Sequence, residues 1–129
     1  MNRLEKAQLI ADAALDRKAT DVIALDVREI ASFTDTFVFA TGGSDRQVRA
    51  ISDAIADALR EAGDKPLGVE GYEDGSWILI DANDVIVHVF RGDTRKHYDL
   101  ERLWSDAPAI PVAEASDLAA ADGSEQAAP

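Results

Sequence analysis

The side chains able to do chemistry in this chain are few, and they fall into three places. The first is the turn Thr41-Gly42-Gly43-Ser44, with Gln47 three positions beyond the serine. A strand that breaks at glycine and restarts as a serine-headed helix presents free N–H groups able to hold an anion. With magnesium held by two or three carboxylates nearby, such a turn would suit nucleotidyl transfer. Asp26, Asp81 and Asp84 are the available carboxylates, and none forms a carboxylate-x-carboxylate pair on a strand soon after the helix. Asp81 and Asp84 instead flank a hairpin turn, where solvated Asp is commonplace. The plainer role of Ser44 is a helix cap, with Gln47 completing a capping box.

The second place is Trp77 and His88. A lone histidine between Val87 and Val89, with no Cys or His neighbour and His97 beyond the strand end, reads as a satisfied core residue rather than a metal ligand or general base. Trp77 opens a strand after Gly75-Ser76. It is either core or a binding anchor, since tryptophan buries a large area at low entropy cost. The third place is Tyr98-Asp99-Leu100-Glu101-Arg102-Leu103-Trp104, where Leu100, Leu103 and Trp104 share one helical face. Arg91, Arg95, Lys96 and Arg102 form the only basic cluster, too small to imply RNA binding by itself.

The elements that must position these groups follow from periodicity. Leu4, Ala7, Ala11 and Ala14 predict an amphipathic helix over Asn2 to Arg17. Strands are predicted over Asp21 to Val27 and over Thr36 to Thr41. Val48, Ile51, Ile55 and Leu59 stripe a long helix that Gly63 stops. A short strand around Leu67 to Gly71 precedes Trp77–Asp81 and Asp84–Phe90, joined through Ala82-Asn83 as a hairpin. The second of these is apolar at nearly every position and is expected in the centre of the sheet. A closing helix is predicted from about Tyr98 to Trp104. The expected fold is one α/β or α+β domain over residues 1–107, a mixed sheet flanked by helices. Residues 108–129, rich in Ala, Pro and acidic residues, read as a disordered tail.

Composition narrows the function. The chain has 129 residues and no cysteine, which removes disulfides, thiolate nucleophiles and cysteine-held metals. No apolar run is long enough for a bilayer, and the charged N-terminus does not resemble a signal peptide, so a cytoplasmic protein is expected. Net charge is −12, and without the five carboxylates from Ser105 onward the body still carries seven net negative charges. Phosphate-led binding to RNA needs the opposite balance. An acidic chain working near RNA is expected to touch a basic protein there, with charge aiding encounter more than grip.

Five blocks, in order, resemble the Iojap or ribosomal silencing factor family: Ile23–Val27 with Ser32-Phe33-Thr34-Asp35; Thr41 to Val48; Pro66 to Gly71; Trp77–Asp81 with Asp84–Phe90; and Tyr98 to Trp104. Gly43, Asn83, Gly92 and His97 depart from the family pattern, the last two suggesting that the final helix starts late. The resemblance implies a nucleotidyltransferase-like fold without transferase chemistry, hence a non-enzyme with no cofactor. It implies binding to large-subunit ribosomal protein fourteen, a steric block to subunit joining, lowered translation when nutrients run short, and a homodimer when free. Carried over by position, the partner-binding residues are Trp77, Asp81, Asp84, Val85, His88, Tyr98, Leu100 and Trp104. A minor rRNA contact is compatible with the basic cluster. The competing expectation is a magnesium-dependent nucleotidyltransferase using Ser44, Asp26, Asp81 and Asp84, and an RNA-binding module is a third.

Overall fold

The protein's structure is a computed structural model that describes residues 1–99, 102 and 106–112. Leu100 and Trp104 lie outside the described residues, as do the side chain of Tyr98 and residues 113–129.

Asn2 starts α1 (Arg3–Asp16) with a full capping box, its side chain accepting from the Glu5 N–H while the Glu5 carboxylate accepts from the Asn2 N–H. Ala7, Ile10, Ala11 and Ala14 are buried, whereas Leu4 is exposed and lies off the expected stripe. β1 (Thr20–Asp26) and β2 (Thr36–Gly42) pair antiparallel, with an irregularity after Thr20. Every residue of β2 is buried. α2 (Asp45–Glu61) follows, burying Val48, Ile51, Ile55 and Leu59, and Gly63 ends the segment at positive φ. β3 (Gly68–Glu70), β4 (Trp77–Asp81) and β5 (Val85–Arg91) complete the antiparallel half. β5 then lies parallel beside β2, so the sheet is mixed, with β5 and β2 central as its apolar run required.

Two elements depart from the sequence reading. α3 spans Gly92–Tyr98 and ends at left-handed Asp99, so a helix starts earlier than expected. Gly-Asp-Thr-Arg-Lys-His-Tyr has no apolar stripe to announce it. Ala109–Ile110 form β6 against Leu25 and Ala24, inside the segment expected to be disordered. Two residues are too few to show an alternating pattern, and the pairing is won by tertiary contact. Asp84 also sits in the turn between β4 and β5 rather than in the strand, because the Ala82 N–H closes onto the Val85 carbonyl.

The sheet order is β3-β4-β5-β2-β1-β6, a single α+β domain. Alternation along each strand divides the core into two faces. Val38, Ala40, Ile78, Ile80, Val85, Val87 and Val89 face α1 and α2. Leu25, Phe37, Phe39, Ile86 and Phe90 face the other way, with Trp77 and Leu79 packed against them. Each fully buried side chain of this size contributes roughly 1.5–3 kcal/mol.

Candidate functional site

The second face is aromatic, and it is here that Trp77 and His88 meet. The His88 ring stacks on Phe39 at 5.1 Å and on Phe90 at 5.8 Å, with the Phe37 edge at 5.2 Å. Trp77 lies 6.0 Å from His88 and 5.2 Å from Phe90. Its indole Nε1 donates to His88 Nδ1 at 3.2 Å. Accepting at Nδ1 assigns the imidazole hydrogen to Nε2, which is buried with no hydrogen-bond partner. Burial pushes the His88 pKa down to about 4, so the ring is neutral at physiological pH. It is a rigid polar element of an apolar face, not a base poised near neutrality.

The loop before β4 fixes Trp77. Gly71 and Gly75 both hold positive φ, and a Cβ on Gly71 would overlap the Trp77 carbonyl oxygen. Tyr72 donates its hydroxyl to Asp53, and Arg49 donates to the Glu73 carbonyl, pinning the loop to α2. Ser76 donates its hydroxyl to Asp74, and its carbonyl accepts from the Arg91 N–H. Trp77 is left half-buried at the sheet's rim, packed against the aromatic cluster.

The hairpin's other expected contacts are placed differently. Asp81 accepts from the Asn83 N–H and shapes the turn, in which Asn83 holds positive φ. Asp84 pairs with Lys6 at 2.6 Å. Val85 is wholly buried on the helix side of the sheet, so it supports the hairpin from beneath. Lys6 carries the feature least visible in the sequence. It is 3% exposed, and its Nζ reaches Asp84, Asp64 at 2.7 Å and the Ala82 carbonyl at 2.8 Å. Burial opposes its charge, but the two carboxylates together hold its pKa above the ordinary lysine value. A lysine one position from Ala7 on a helix carries no local sign of this, since its partners are 58 and more positions away.

The elements of a nucleotidyltransferase are not assembled. Ser44 caps α2 by accepting from the Gln47 N–H at 3.1 Å. Gln47 does not complete the expected box: its carbonyl accepts from the Gly43 N–H, and its amide ties the turn to the Arg17 and Lys18 carbonyls. Asp26, Asp81 and Asp84 lie at the opposite end of β2, a strand length of roughly 20 Å from Ser44. Asp26 and Asp81 are three strands apart, about 14 Å by strand spacing. Asp26 is held by Arg28, which keeps its carboxyl below the usual range. Among the described residues no cluster of three His, Asp or Glu side chains is placed to hold a metal ion.

The basic cluster is partly spent on the fold. Arg91 pairs with Asp93 at 2.7 Å and Asp45 at 2.5 Å, which raises its pKa. Arg95 is buried over the Phe39 ring and donates to the Asp21 carbonyl and the Thr41 hydroxyl. Lys96 and Arg102 are exposed.

The chain as a whole is similar to known proteins. The pattern of a family described as "Ribosomal silencing factor during starvation" matches residues 1–129. The chain belongs to the ribosomal silencing factor family. It is 42% identical over 110 residues to the "Ribosomal silencing factor RsfS" of Halalkalibacterium halodurans, covering 85% of this chain and 94% of that one. It is 36% identical over 110 residues to "Protein Iojap, chloroplastic" of Zea mays, covering 83% of this chain and 46% of that longer one. A crystal structure of a Chromobacterium violaceum protein superposes with a TM-score of 0.80 at 39% identity, covering 92% of this chain and 99% of that one. Membership of the silencing factor family accords with the dispersed carboxylates.

Proposed function

We propose that this silencing factor docks by its aromatic sheet face on large-subunit ribosomal protein fourteen, blocks joining of the small subunit, and so represses translation under nutrient limitation. The mechanism is steric: a folded domain on the intersubunit face fills space the other subunit needs. The observation that supports it is Trp77, half-buried at the rim of a face whose remaining aromatics are rigidly packed. An anchor held in place before binding loses little entropy on binding. Asp81 and His88 belong to Trp77's hairpin, and Tyr98, Leu100 and Trp104 are proposed as further partner contacts on the family resemblance alone. Asp84 and Val85 serve by holding the hairpin in shape, one through Lys6 and the other in the core. Lys96 and Arg102 supply any minor rRNA contact. In this reading the protein is a cytoplasmic, cofactor-free regulator rather than an enzyme, and pairs with a second copy when free.

Sedimentation of the purified protein with separated subunits tests this. Cofractionation with the large subunit and fewer joined ribosomes is the expected result, and binding to the small subunit alone would refute it. Trp77→Ala should weaken large-subunit binding by about thirtyfold, a loss of about 2 kcal/mol typical of an aromatic anchor. Unchanged affinity would move the anchor elsewhere.

A further inference from the structure

The connection between β1 and β2 carries a second apolar patch that the hairpin reading does not use. The loop is closed by the Val27 N–H donating to the Asp35 carbonyl at 2.9 Å. A helical turn within it is held by bonds from the Ile30 and Ala31 N–H groups to the Val27 carbonyl. Val27, Ala31 and Thr34 are buried beneath, so the loop has a fixed shape. Ile30 and Phe33 point outward from it, 48% and 64% exposed. Large apolar side chains displayed on a pinned loop, rather than folded under it, mark a contact surface.

Beneath the surface the patch packs on the aromatic cluster, whose Phe37 and His88 are themselves buried. Phe33 lies 6.0 Å from Phe37, Phe37 5.2 Å from His88, and His88 6.0 Å from Trp77, a row of rings from one rim of the sheet to the other. Its surroundings are acidic. Glu29, Asp35 and Asp106 are exposed around it, and a cleft of about 330 Å³ lined by Arg28, Glu29, Ile30, Asp106 and Pro108 opens beside Ile30. Arg28 is committed to Asp26.

We infer that Ile30 and Phe33 are a second apolar anchor, seated in an apolar recess of a basic protein surface while Glu29, Asp35 and Asp106 meet its cations. The charge decides between occupants. A second copy meeting this patch about a two-fold axis would bring the same carboxylates face to face. Nucleic acid would bring phosphate against them. A basic protein meets both parts of the patch favourably. The inference rests on the docking reading above and extends it to the other rim of the sheet.

The test compares the parent chain with Phe33→Ser, Ile30→Ser, the double variant and Phe33→Leu, measuring affinity for isolated large subunits. Both side chains are largely exposed, so thermal midpoints should stay near the parent's, and the midpoint is measured alongside. The double variant should bind at least tenfold more weakly, while Phe33→Leu stays within about threefold of the parent. Glu29→Lys with Asp35→Lys should slow association severalfold and leave dissociation nearly unchanged. If the parent binds and the double variant binds equally well, this inference fails and the docking reading stands. If the parent does not bind the large subunit, both fall. Loss of self-association with ribosome binding intact would assign the patch to a second copy and overturn the proposal. Binding of the parent to protein-free rRNA that the double variant loses would overturn it equally.

Discussion

At the residue scale, His88 carries a cost that stability measurements can read. Its ring is neutral, packed beside Phe39 and Phe90, bonded at Nδ1 and orphaned at Nε2. Burial sets its pKa near 4, below the ordinary 6.5. Between those values the unfolded chain takes up a proton that the folded chain refuses. The contribution is therefore complete above pH 6.5, and is lost as the pH falls toward 4. The full loss is about 3 kcal/mol if the unfolded histidine is unperturbed. His88→Phe keeps a ring in the stack and removes the titration. The parent's thermal midpoint should fall relative to the variant's between pH 6.5 and 4, and midpoints that track in parallel across that window would refute the buried neutral ring. The same chemistry explains why the sequence reading could recognise His88 as core without seeing its partner. A valine-flanked strand position announces burial, but the indole that meets Nδ1 comes from the neighbouring strand, through a register that no local pattern specifies.

At the element scale, the hairpin that carries Trp77 is clamped from below. Lys6 joins α1 to the turn between β4 and β5 and to Asp64 beyond α2, all through one ammonium. Lys6→Met keeps the buried stem but strands two carboxylates and a carbonyl. The carboxylates are partly exposed, so water recovers some of the loss. Urea unfolding should show a decrease of about 2 kcal/mol rather than the larger penalty of a fully buried pair. A change under about 0.5 kcal/mol would mean the clamp is incidental. The elements differed in how far the sequence exposed them. β2, α2 and β5 were readable because their apolar spacing is strong and their burial uniform. α3 was not, because its seven residues are polar and its place is set by Arg95 reaching Asp21 and Thr41. β6 was not, because two residues hold no period. The sequence did not assign Val85 a face, because a strand buried on both sides gives no alternation from which to tell helix side from aromatic side.

At the scale of the whole molecule, charge and shape divide the work. Trp77, Phe33 and Ile30 supply apolar contacts on a rigid base, and the net charge of −12 supplies a field that reaches beyond contact. Within the proposed docking on a basic protein, that field acts on encounter, so salt should weaken binding chiefly by slowing association. The segment after Val112 holds Glu114, Asp117, Asp122 and Glu125 and no basic residue. Ending the chain after Val112 keeps β6 and its pairing with β1 while removing those four charges. If the tail contributes only through its field, stopped-flow mixing with large subunits at low salt should show association slowed severalfold, with dissociation unchanged and the difference vanishing at high salt. Faster dissociation would instead mean that the tail makes contacts of its own, and the division between a charged approach and an apolar grip would not hold.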